Sequence, residues 1–352
     1  MKKILYIGWI GYNNLGDDLL WNIFNELSKK NHFLEKKIKV IPSYPAVDIS
    51  NVNEFDTVVL GGGSLIAPHY IKILKKALDM KKKVVIWGSG IDRINENALN
   101  KMNEGANLQL KQRFTNEEAA LLKYVFLKAS FAGVRGPLTK QALISLGVNS
   151  EDIQIIGDPG LFLNYVSKEE KKEKLIGINW GTTLNNLYGS NEKFVKQYIV
   201  DTAKLLIDMG YKIVIYSVWD KDHASCQSLY KGINDSKNVK LITRLLSEKE
   251  LMSELAPCTL TINYKLHPNL LSMGAKVPFI ALGYRYKVFD LAKSIGMESH
   301  VISTSHPDLK SEILARVSFI EQNRDQILSS YEEHLKHFLP LIEKPFHDNF
   351  YL

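Results

Sequence analysis

Cysteine is scarce in this chain: Cys226 and Cys258 are the only two in 352 residues. They stand far apart, with no CxxC pair and no histidine at ligand spacing, so neither a disulfide framework nor a common zinc motif is built from them. Both are expected to be free, buried thiols in a reducing, cytoplasmic setting. No apolar stretch approaches the ~20 residues that a bilayer-spanning helix needs. Charge of one sign is also in short supply: 45 Lys and Arg against 38 Asp and Glu leave a formal +7. No basic run is interleaved with aromatics, which sets nucleic acid aside as a partner. A modest basic excess suits anionic small substrates and an anionic membrane surface equally well. The GxGxxG spacing of a dinucleotide site is missing too.

What is present is the composition of a globular protein, with 45% hydrophobic and 24% charged residues, in a chain long enough for two domains. The opening MKKILYIGWI is too short for the apolar core of a signal peptide and has no cleavage site after it, so it is expected to be a first buried strand. Apolar runs at 4–8, 37–41, 57–63, 83–88 and 130–136 read as buried parallel strands. Helical patterns fall between them, near 16–30, 68–80, 117–128 and 136–146. The alternation resumes with strands at 174–179, 212–218, 239–242, 259–263 and 278–283. Its helices lie near 191–209, 248–255, 268–274, 286–295 and 308–338. The fold class is therefore α/β, with two Rossmann-like domains facing across a cleft. The boundaries are 1–166 and 175–352, with the lysine- and glutamate-rich 167–174 as linker and the C-terminal helix packing back on the first domain. Residues 92–116 are polar and lack an apolar stripe, the pattern of a lid or binding loop. Nothing in the sequence fixes an oligomeric state.

In such sheets ligands bind beyond the carboxyl ends of the strands, and five segments there carry chemistry. Gly11–Asp18 follows the first strand. It is either a plain loop and helix cap or a place where Asn14 or Asp17 holds sugar hydroxyls. Gly61-Gly62-Gly63-Ser64 lets a ligand approach the backbone at Gly62 and Gly63, although triple glycine is as often a packing turn. Arg135, before the helix-starting Gly136-Pro137, is expected to project into the cleft and grip a carboxylate or phosphate; its bland fate is an ion pair. His267, in Asn263–Asn269, sits at a strand–helix junction suited to proton transfer, where a lone histidine is more often structural. Gly283–Lys287 brings Tyr284, Arg285 and Lys287 to the next strand end. With Lys265 they make an anion site more plausible than any one cation would.

Taken in order, GYNNLGDD, GGGSL, WGSGI, VRGPLTKQALISLGV, GDPGLF and KLHPNLLSMGAKVPFIALGYRYK resemble the polysaccharide pyruvyl transferase family over residues 4–297. The resemblance implies a fold like that of GT-B glycosyltransferases. It further implies phosphoenolpyruvate as co-substrate, no other cofactor, no metal, and a pyruvate ketal formed on a sugar of a cell-surface polysaccharide or its precursor. By the same resemblance Arg135, His267 and Lys287 are the catalytic set, with His267 as the acid. Lys265, Arg285 and Tyr284 belong to the donor side, and Asn14, Asp17, Gly62 and Gly63 to the acceptor side. Lys265 stands where the family usually has arginine, Arg285 where a smaller or acidic residue is common, and Asp18 in place of glutamate.

The expected partners are phosphoenolpyruvate and a saccharide or lipid-linked glycan, the latter bringing the protein to the inner face of the membrane. A His267 kept cationic by the dianionic donor is expected to protonate the donor's methylene. Two other readings stay open. One is a GT-B-like glycosyltransferase using a nucleotide sugar, with Asp220 or Asp222 on the ribose. The other is a glycan-binding protein without activity.

Overall fold

The computed structural model describes residues 1–44, 47–105, 110, 113–163, 174–189, 191–348 and 350–351. Two parallel six-stranded sheets organise the chain, each flanked by helices. The first domain runs β1 (Lys2–Ile7), α1 (Leu15–Lys30), β2 (Ile38–Pro42), β3 (Thr57–Leu60), α2 (Pro68–Asp79) and β4 (Lys83–Ser89). It continues with α3 (Glu96–Asn103), α4 (Asn116–Lys128), β5 (Phe131–Val134), α5 (Pro137–Ser145) and β6 (Gln154–Ile155). The second runs β7 (Leu175–Asn179), α6 (Glu192–Asp208), β8 (Lys212–Tyr216), α7 (His223–Ile233), β9 (Val239–Leu241) and α8 (Glu248–Leu255). After these come β10 (Leu260–Asn263), α9 (His267–Gly274), β11 (Phe279–Gly283), α10 (Tyr286–Ser294), β12 (Val301–Ser303), α11 (Leu309–Gln322) and α12 (Arg324–His347).

The strands form where apolar, often β-branched residues run together, because helices cover both faces of a parallel sheet. Val58, Val59 and Leu60 of β3 and Val84, Val85 and Ile86 of β4 have no exposed surface. Helix starts follow local chemistry: Thr115 with Glu118 and Ser247 with Glu250 form capping boxes for α4 and α8. Pro137 opens α5, where its missing N–H costs nothing.

The first sheet has the order β2-β1-β3-β4-β5-β6 and the second β12-β11-β10-β7-β8-β9. Strand order therefore reverses between β1 and β3, and again between β7 and β10. At such a reversal the loops leave in opposite directions and open a crevice at the carboxyl ends. The two crevices face each other: the loop after β1 pairs with the loop after β8, and the start of α9 meets the first turn of α1.

Two segments depart from the elements expected of the sequence. The polar 92–116 segment contains α3, capped by Asn95, which accepts from the Ala98 N–H; only two of its residues, Leu99 and Met102, are buried, too few to show as a stripe. The single helix expected over 308–338 is two, α11 and α12, broken at Asn323. Linker residues 167–173 lie outside the described residues. At the far end, α12 lies on the first domain: the Trp87 indole N–H donates to the Ile342 carbonyl at 2.9 Å, and Phe346 packs against Phe24 and Trp87. Among the described residues no helix is long and apolar enough to cross a membrane.

Candidate functional site

Between the two reversal points lies a cavity of about 830 Å³, lined by both domains. A second hollow, of about 730 Å³, runs past Lys212 and Val239, at the amino ends of the second sheet's strands, where open α/β sheets do not bind ligands. The cleft is the candidate site.

Its centre is His267, the first residue of α9. The imidazole crosses to the first domain and lies over Gly16 in the first turn of α1, so close that a methyl group there would overlap the ring. Part of the side chain reaches the cavity, while Nε2 is enclosed and has no hydrogen-bond partner. Burial, followed by the charges of Lys287 and Arg135, pushes its pKa down to about 3. The cation expected from the sequence depends on a bound anionic donor; by itself His267 is a neutral imidazole near neutral pH.

Four of the cations that line the cleft differ in what they are free to do. Arg135 reaches the cavity wall, as expected, but its guanidinium is already engaged. Only 1% exposed, it pairs with Asp290 of α10 at 3.3 Å and donates to the carbonyls of Gly63 and Ile91 at 3.4 and 3.2 Å. A guanidinium this deep needs its charge matched, and Asp290, from the other domain, matches it. Lys265 pairs with the buried Asp222 at 3.3 Å and donates to the Thr182 carbonyl. Arg285 spans the cleft to Asp92 at 3.0 Å. Lys287, in the first turn of α10, has no ion pair or hydrogen bond among the described residues, and its ammonium lies 5.5 Å from the Tyr284 ring centre. Burial would raise the Tyr284 phenol, but Lys287, Arg285 and Lys265 outweigh it and hold the group below its ordinary value.

The opposite wall belongs to α1. Asn14 caps this helix, its side chain accepting from the Gly16 N–H at 3.1 Å. Asp18 turns away to accept from Gly11 and brace the loop. Asp17 faces the cavity beside Gly63, whose φ of +96° suits glycine alone. Gly62 does not reach the cavity wall; it packs against Leu20 and Pro159, the close-packing role of a glycine.

Burial raises the Asp17 carboxyl to about 7 despite the opposing charge of Lys287. Its unfolded value is 3.8, so the folded protein holds a proton there that the unfolded chain has lost. Stability from this group is full below about pH 4 and is lost as pH rises through 7. Asp17→Asn should therefore raise the melting temperature near pH 8, by about 1–2 kcal/mol of stability once screening by cleft water is allowed for, and change little at acid pH. Equal melting curves near pH 8 would contradict the burial of this carboxyl.

Asp92, Asp290, Gly16, Trp9 and Trp219 are not singled out by the sequence pattern, and Asp222 enters there only as a ribose carboxylate of the nucleotide-sugar alternative. Asp92 and Trp9 were open to detection, since each stands just beyond a strand end. Asp290, Gly16 and Trp219 gain meaning only from partners that folding brings from the other domain, Arg135, His267 and Tyr12, and Asp222 gains it from Lys265 of its own domain.

A family model described as polysaccharide pyruvyl transferase matches residues 14–286. The amylovoran biosynthesis protein AmsJ of Erwinia amylovora is 20% identical over 312 residues, covering 82% of this chain and 70% of AmsJ. Among solved structures, MnaA of S. aureus with UDP superposes with a TM-score of 0.64 at 13% identity, over 100% of this chain and 97% of that one. UDP-GlcNAc 2-epimerase from Neisseria meningitidis bound to UDP-GlcNAc gives 0.58 at 11% identity, over 99% of each chain. The architecture is that of the GT-B fold.

Proposed function

The chain belongs to the polysaccharide pyruvyl transferase family, and from that premise we propose that it moves pyruvate from phosphoenolpyruvate onto two hydroxyls of one sugar in a polysaccharide or its lipid-linked precursor. The observation that carries this reading is that two residues lining one cleft carry groups without partners among the described residues: the His267 imidazole, at Nε2, and the Lys287 ammonium. A small donor with a carboxylate, a phosphate and a carbon to be protonated calls for a fixed cation and a proton carrier.

The chemistry follows from charge. Lys287 is one cause of the low His267 pKa. An anionic donor on Lys287 neutralises that effect and adds its own negative charge, so His267 takes up a proton as the donor binds. The imidazolium then protonates the methylene carbon, which becomes the pyruvyl methyl, and positive charge develops at the adjacent carbon. A sugar hydroxyl bonds to that carbon and gives up its proton. The second hydroxyl then replaces phosphate and closes the ketal, and its proton leaves with the phosphate. Asp17, with its carboxyl at about 7, is suited to accept the hydroxyl proton near neutral pH. Arg135 acts from beneath, holding Gly63, the 91–92 turn and α10 together. The positive charge the reaction needs comes from side chains, without a metal.

The test is selective binding. Phosphoenolpyruvate should raise the melting temperature, and nucleotide sugars should not. Lys287→Ala should weaken phosphoenolpyruvate about tenfold, the scale of one charged hydrogen bond, and added salt should weaken it further. Stabilisation by a UDP-sugar alone would favour a sugar-nucleotide enzyme. Unchanged phosphoenolpyruvate affinity in a Lys287→Ala, Arg285→Ala double variant would remove the donor from this wall.

A further inference from the structure

Beyond the catalytic groups, the mouth of the cleft carries aromatic rings that the proposed chemistry does not use. Trp9 stands just beyond β1. It stacks on Tyr12 with ring centres 4.8 Å apart and planes at 23°, and it meets Trp219 of the other domain edge-on at 5.8 Å. Trp9 is 36% exposed and Tyr12 49%. The other exposed aromatics, Tyr44, Phe194 and Phe319, do not stack on one another. Large apolar rings left in water together mark a binding surface more often than a packing accident.

We propose that Trp9, backed by Tyr12 and edged by Trp219, is a stacking platform for a pyranose ring of the glycan acceptor. The inference rests on the reading that the acceptor is a glycan. Closure of the domains accounts for the edge of Trp9 that meets Trp219 and leaves the rest of the ring unexplained. Domain contact here is carried by the Leu15 N–H to the Val218 carbonyl at 2.9 Å, the Trp219 indole N–H to the Tyr12 carbonyl at 3.1 Å, and Asn13 with Asp220. Trp9 contributes no hydrogen bond among the described residues, so its indole N–H is free to donate. Trp9 and Trp219 line the same cavity as Asn14 and Asp17. An aromatic face for the C–H side of a pyranose, next to a donor and carboxylate or amide groups for its hydroxyls, is the complement of a sugar. A tryptophan with its rotamer already held by Tyr12 loses little freedom on binding.

The test uses an array of immobilised β-linked gluco-, galacto- and manno-oligosaccharides, probed with wild type, Trp9→Ala and Trp9→Phe. Wild type should bind a subset. Trp9→Ala should lose about tenfold or more in affinity, as a stacked anchor does, and Trp9→Phe should keep most of it. The thermal shift with phosphoenolpyruvate should be unchanged in Trp9→Ala, which also shows that the variant is folded. Equal array binding by Trp9→Ala, or none by wild type, overturns the proposal. So does UDP binding that depends on Trp9 and is not displaced by any array sugar, because the platform would then serve a base. Trp9-dependent glycan binding without a phosphoenolpyruvate shift in wild type leaves the platform standing and removes the donor reading alone.

Discussion

His267→Gln is expected to fold, to bind phosphoenolpyruvate, and to turn over about a hundredfold more slowly or worse, the scale of losing a general acid. Glutamine can donate a hydrogen bond from the same place but cannot surrender a proton to carbon. Turnover is read as phosphate released and pyruvyl ketal formed, with a glycan-precursor extract as acceptor. Stability supplies a second check. A histidine held at about 3 in the folded state against roughly 6.5 in the unfolded chain contributes stability above pH 6.5 that is lost as pH falls toward 3. The variant should lose less stability than wild type between about pH 6 and 4. A well-folded His267→Gln protein with near-normal turnover would remove the histidine from the reaction and leave Lys265 as the next proton carrier to examine.

Gly16→Ala is expected to do comparable damage to turnover without touching a reactive group. Alanine is the better helix former by about 1 kcal/mol, and Gly16 is absent from the positive-φ glycines, so α1 itself should gain. The added methyl, however, falls where the His267 imidazole lies. The ring must swing away, because it is the movable partner. Turnover should fall by about tenfold to a hundredfold, as expected when a catalytic group is misplaced by an ångström, while donor affinity on Lys287 stays near normal. Normal turnover in Gly16→Ala would mean that the histidine does not need this seat.

The sequence showed the strands most plainly, and the reason is physical. β1, β3, β4, β7, β8 and β11 are buried on both faces, so they appear as apolar runs with little interruption. β6 and β12 span two and three residues at the sheet edges and are buried only in part, and neither stands out as an apolar run. Placement of the candidate site beyond the strand ends was legible for the same reason: once the strands are found, His267, Lys287 and Asp17 fall at their carboxyl ends. Charge pairing was not legible. Arg135 with Asp290, Lys265 with Asp222 and Arg285 with Asp92 each join segments distant in sequence, and these pairings leave Lys287 as the unpaired ammonium among the four cations considered. Nor could a neutral His267 be read beforehand, because burial, the first cause of its low pKa, is a property of the closed cleft.

The proposed reaction turns on one event, proton uptake by His267 when the anionic donor occupies Lys287. Calorimetric titration of the protein with phosphoenolpyruvate, repeated near pH 7.5 in buffers of different ionisation enthalpy, counts that proton directly. The predicted result is more uptake in wild type than in His267→Gln, the difference approaching one proton; any uptake shared by the two belongs to other groups such as Asp17, whose carboxyl lies at about 7. Binding with no uptake in wild type, or the same uptake in His267→Gln, would contradict it.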